Sequence, residues 1–97
     1  MLILKNNHYS TLSTLLYDRI EEEDFFSGSI NYQIENIECE LLTTIIIYRQ
    51  SDSIEQFNFS SIVDIVPVWW EFTTVVDGEL RLNDFDFQLL KNSLCHN

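Results

Sequence analysis

The sequence has no alanine, one proline, two glycines, two cysteines and only five basic residues among 97. Most of these shortages remove a class of chemistry. With glycine only at Gly28 and Gly78, no glycine-rich loop is available to cradle a phosphate. Cys39 and Cys95 do not form a C-x-x-C pair, so there is no zinc or redox signature. Both are expected to be reduced thiols, although the sequence alone leaves one bridge between them open. His8 and His96 both lie near a chain end, where the held geometry and the partner that a catalytic base needs are scarce. Cys95 and His96 are adjacent in sequence, which is not the spatial pairing of a cysteine nucleophile with its base. No cofactor site is expected. The apolar start, Met1 to Lys5, is short for a secretory signal, and no apolar run reaches about 18 residues. The chain is therefore expected to be soluble and cytoplasmic. The missing alanine carries no mechanism.

Acidic residues number 16, and the formal charge is −11. That charge argues against direct contact with nucleic acid or an anionic membrane, and it makes any electrostatic partner a basic protein. Apolar residues are 45% of the chain and aromatics 13%, a composition that buries a core. No linker or repeat divides the chain, so residues 1–97 are read as one domain of modest stability.

The chain is organised around Ile62 to Val76, IVDIVPVWWEFTTVV, which holds both tryptophans and the only proline. Before Pro67 the polar Asp64 turns Val63 and Ile65 inward. After it, Glu71 and Thr73 turn Val68, Trp70 and Phe72 inward. One strand changes phase in this way only through a β-bulge, expected at Val66–Pro67, because proline lacks a ladder donor and is tolerated there. Trp70 then belongs to the core and Trp69 to the opposite face.

The flanking segments supply the rest of an α+β fold. Leu2 to Lys5 reads as a short edge strand or a docked arm, which Asn6–Asn7 breaks. Leu12, Leu15, Leu16 and Ile20 form one helical stripe, with Ser10 as N-cap and an end near Glu23. Phe26, Gly28, Ile30, Tyr32 and Ile34 alternate with polar residues, the period of a half-buried strand. A two-residue turn at Glu35–Asn36, with Asn36 suited to positive φ, then sets Ile34 opposite Ile37, Tyr32 opposite Cys39, Ile30 opposite Leu41 and Phe26 opposite Ile45. All eight are expected to face the core. Gln50 to Ser61 reads as an irregular segment whose Phe57 and Phe59 tuck under the sheet edge. Asp77–Gly78 turns into a last short strand, Glu79 to Leu82. A three-residue loop pairs Val76 with Leu80 inside; a two-residue loop pairs Val75 with Leu80. The first is preferred. Asn83 or Asp84 caps a second helix running to about Ser93, with Phe85, Leu89, Leu90 and Leu94 on its apolar side. The expected architecture is an antiparallel sheet of about four strands in two hairpins, with an N-terminal and a C-terminal helix covering one face.

Two surfaces stand out. Glu21, Glu22, Glu23 and Asp24 place four carboxylates at a helix C-terminus, where the dipole already favours cations. They make a candidate acidic surface, weighed against a plain solvated turn. Their spacing is not that of a calcium loop. In the strand from Ile37 to Arg49, the outer positions change from Glu38 and Glu40 to Leu42, Thr44, Ile46 and Tyr48. If this strand pairs with the tryptophan strand, Trp69 joins Leu42, Ile46 and Tyr48 in an apolar cluster rimmed by charge. Such a cluster has the composition of an interface hot spot. The plainer alternative is that a helix or the N-terminal arm covers it. Glu38, Glu40 and Glu71 share the outer face, but paired carboxylates do acid–base chemistry only in a cleft that separates their pKa values. The functional expectation is a non-enzymatic interaction domain that engages a protein partner or forms a homodimer. The competing reading is an acidic inhibitor that mimics nucleic acid and occupies a basic, nucleic-acid-binding protein.

Overall fold

The computed structural model describes residues 2–51 and 60–95, without the side chains of residues 50, 51, 60, 61 and 95. The chain is α+β, as its patterning predicts. Helix α1 (Asn6–Ile20) is followed by strands β1 (Phe25–Ile34), β2 (Ile37–Ser51), β3 (Ser60–Val76) and β4 (Glu79–Leu82), and then by helix α2 (Phe87–Cys95). The strands form one antiparallel sheet in the order β1-β2-β3-β4. Each strand therefore pairs with its neighbour in sequence. Both helices pack on the same face of the sheet, α1 against β1 and α2 against β3, and against each other. Leu12, Leu16, Ile20, Leu41, Ile45, Ile65, Phe72 and Leu90 are fully buried between the two layers.

The β1–β2 register is the predicted one at all four core pairs. Alternation and turn length specify the same pairing, and a slip of one residue would move every apolar side chain to solvent. Within the turn, the positive φ falls on Glu35 (55°) and not on Asn36. Both helices begin elsewhere than predicted. Asn6 and Asn7 form the first turn of α1 instead of breaking the chain, because His8 Nδ1 accepts the Lys5 N–H at 3.0 Å and satisfies it from the N3 position. Ser10 is inside the helix, where its carbonyl accepts the hydroxyls of Ser13 and Thr14. The helix ends at Ile20, before the predicted Glu23, and Glu21 closes it at φ 54°. In α2 the cap is Asp86, not Asn83 or Asp84, since Asp86 Oδ1 accepts the Gln88 N–H at 3.0 Å. Asn83 instead ties down the N-terminal segment: its Oδ1 accepts the Leu2 N–H and its Nδ2 donates to the Leu2 carbonyl. Leu2 to Lys5 is thus a docked arm, not a strand.

Strand β3 departs most from expectation. Thr44 pairs with Trp69 and Ile45 with Pro67, so the extra residue is Val68 and not the Val66–Pro67 step. A second shift sets Tyr48 opposite Asp64 and Arg49 opposite Ile62, which makes Val63 a second extra residue. Val63 (47% exposed) and Val68 (60%) therefore do not point inward as predicted, since each sits where the strand bulges out of its ladder. Ile65 and Phe72 are buried as predicted. Trp70 lies on the helical side against Phe87, with ring centroids 5.1 Å apart, but it is 42% exposed and is not a core residue. The last hairpin has a two-residue turn, Asp77–Gly78, that pairs Val75 with Leu80. The three-residue loop is thereby corrected, and Val76 and Leu80 are exposed. Gly78 at φ 78° and Asp77 at φ 54° both have the positive φ that a tight hairpin requires. β2 runs on to Ser51 and β3 starts at Ser60, so both take up part of the predicted irregular segment. Phe57 and Phe59 lie outside the described residues.

Candidate functional site

The sheet face opposite the helices divides into two halves. Pairing places Gln33, Glu38 and Val75 in one row, Asn31, Glu40 and Thr73 in the next, and then Ser29, Leu42 and Glu71. Glu38, Glu40 and Glu71 therefore share this face, as the alternation predicts, but no two stand directly opposite each other. Beyond them come Ser27, Thr44 and Trp69, with the two hydroxyls 2.9 Å apart, and then Phe25, Ile46 and Val66. Tyr48 follows, opposite Asp64.

The predicted cluster is thus assembled by the β2–β3 pairing. Trp69 is 48% exposed, Tyr48 51% and Ile46 38%, while Leu42 is half-buried among them. Two further members escaped the sequence reading, Phe25 (55%) and Val66 (40%), which flank Ile46 directly in the same row. Phe25 was open to inference, since an inward Phe26 makes its neighbour outward. Val66 was hidden because the bulge was expected at that residue. Neither helix covers this face, and the N-terminal arm is pinned to Asn83. Carboxylates rim the patch: Glu71 beside Leu42, and the 21–24 turn leading into Phe25. Asp64, opposite Tyr48, is paired with Lys91 of α2 at 2.8 Å and adds no free carboxylate to this rim.

The four acidic candidates occupy a different kind of site. Glu21, Glu22, Glu23 and Asp24 are all exposed. Arg49, whose side chain is only 11% accessible, donates to the Glu21 carbonyl at 2.8 Å and the Glu23 carbonyl at 2.9 Å, and lies 3.7 Å from the Asp24 carboxylate. The backbone of β2 adds the Ile47 N–H to the Asp24 carbonyl at 2.8 Å. A guanidinium at the end of α1 is the basic group that the helix dipole favours. It arrives from β2, so no local pattern shows it. Arg19 donates to the Ser29 carbonyl and lies over the Phe26 ring.

The described residues contain no group of three or more histidine, cysteine, aspartate or glutamate side chains placed to hold a metal ion. His8 is occupied in capping α1. Cys39 is a buried free thiol whose pKa burial pushes up, which disfavours the reactive thiolate. No helix of the described residues is long and apolar enough to cross a membrane. No protein family matches this chain, and neither does a characterised protein or a solved structure.

Proposed function

We propose that this chain is a small non-enzymatic interaction domain that pairs with a second copy of itself through the apolar half of the open sheet face. The row Phe25–Ile46–Val66, flanked by Trp69 and Tyr48, carries the reading. Aromatic side chains offer roughly 150–250 Å² each. Three of them about half exposed, with two aliphatics near two-fifths, present roughly 400–500 Å² of apolar surface. Two such patches face to face bury roughly 800–1,000 Å², and a modest polar rim brings the total above the roughly 1,000 Å² of a specific interface. The Trp and Tyr anchors supply the residue types that dominate binding energy.

Light scattering after size exclusion at low and high salt tests this. The rim is acidic on both copies, so salt screens repulsion and strengthens the apolar contact. The expected result is a dimer favoured at high salt and reduced to monomer by Trp69→Ala with Tyr48→Ala. A chain that stays monomeric at both salts, or a dimer indifferent to both substitutions, refutes it.

The acidic rim also favours a second reading, in which the same patch meets a partner with an apolar centre and a basic rim. That complex weakens as salt rises, the opposite dependence. In this reading the exposed acidic 21–24 turn, which leads into Phe25, adds to the rim.

A further inference from the structure

On the helical side, a groove of about 720 Å³ runs between the N-terminal arm, the start of α2 and the edge of β3. Ile3, Pro67, Trp70 and Phe87 supply its apolar walls, and Asp84 and Asp86 stand exposed on its rim. Trp70 is 42% exposed here although it lies on the helical side of the sheet. Lys91, also in the lining, is paired with Asp64 at 2.8 Å and does not offset the rim carboxylates. An indole face and two carboxylates attract the same ligand, an organic cation with apolar neighbours.

The backbone adds a directional constraint. Strand β4 pairs only with Thr73 to Val76, so no described strand lies beside Ile62 to Glu71 on that edge of β3. Ile47 donates its N–H to Asp24 on the β1 side, so odd-numbered β2 residues turn their ladder groups toward β1. Their β3 partners, Trp70 opposite Thr43 and Pro67 opposite Ile45, therefore turn theirs outward along the groove. Trp70 can pair with an added strand, whereas Pro67 has no N–H to offer. An extended segment can add beside Trp70 but cannot continue past Pro67.

We propose that this groove binds a short extended peptide segment in which an arginine lies among apolar residues. The guanidinium stacks on Trp70 and meets Asp84 and Asp86, and the apolar side chains rest on Ile3 and Pro67. This site is independent of the sheet-face dimer, because it lies on the other side of β3.

Fluorescence anisotropy on the full chain tests it, with a labelled peptide alternating leucine and arginine and a counterpart carrying glutamate for arginine. The arginine peptide is expected to bind saturably, about tenfold or more tighter than the glutamate peptide, and to weaken with salt. Trp70→Leu, and separately Asp84→Asn with Asp86→Asn, should each weaken it about fivefold or more. Asparagine still caps α2, so the asparagine pair should keep the parent's melting temperature. The sheet-face pair Trp69→Ala with Tyr48→Ala should leave peptide binding intact. Equal binding of the two peptides, no saturable binding of either, unchanged binding by the asparagine variant, or loss of binding in the sheet-face variant overturns the proposal.

Discussion

Arg49 closes the acidic turn by donating to two carbonyls from a largely buried position. Hydrogen bonds from a charged donor contribute about 1.5–3 kcal/mol each when lost from a sheltered site. Arg49→Ala should therefore lower the urea-unfolding free energy by about 2 kcal/mol or more, whereas truncating the exposed Glu22 should change it by less than about 0.5 kcal/mol. Equal effects would show that the carboxylates, not the carbonyls, hold the turn. Cys39 gives a second prediction. Burial raises its thiol pKa above the ordinary 9.0. The folded chain then holds this proton more tightly than the unfolded chain. The contribution to stability is complete below 9.0 and is lost as pH climbs through the raised folded value. Urea midpoints measured from about pH 8 to about pH 10.5 should fall more steeply for the parent than for Cys39→Val, and parallel curves would remove the linkage.

At the scale of the element, β3 shows how an edge limits how far another chain can add along it. Its free length carries exposed Val63, Val66, Val68, Trp69 and Trp70, a composition that invites strand addition. Two extra residues, Val63 and Val68, twist it out of register, and Pro67 removes an outward donor between them. Pro67→Val restores that donor. It should raise turbidity on incubation at high concentration while shifting the urea midpoint little; unchanged turbidity would mean that the bulges alone suffice. The same strand shows the limit of reading phase from sequence. Opposite phases on the two sides of Pro67 were legible, because the inward Ile65 and Phe72 lie an odd number of positions apart, which an unbroken strand cannot place on one face. The residue absorbing the slip was not, because Val66, Val68 and Val63 are chemically alike. Only the partner strand decides which valine is left unpaired.

For the whole molecule, one helical layer over a four-stranded meander leaves a full sheet face without a second layer among the described residues. That face is polar where β1 and β2 meet at their hairpin and apolar toward the other end. The proposed dimer supplies the absent layer over the apolar half alone. A charge of −11 opposes it, so the salt dependence of assembly reports which of the two terms governs.

Alternation and turn length, read from residues close together in the chain, determined the fold class, the β1–β2 register, the limits of β4 and the buried stripe of α1. Each is set by local periodicity against a single water–core boundary. The β1-β2-β3-β4 order, Arg49 at the end of α1, Phe25 and Val66 in the patch, and Trp70 at a groove instead of the core were decided only by the tertiary structure. Those features depend on which distant backbone supplies a donor or stops short. β4 ends after four residues, so Trp70 stays uncovered at the edge of a sheet whose pattern places it inside.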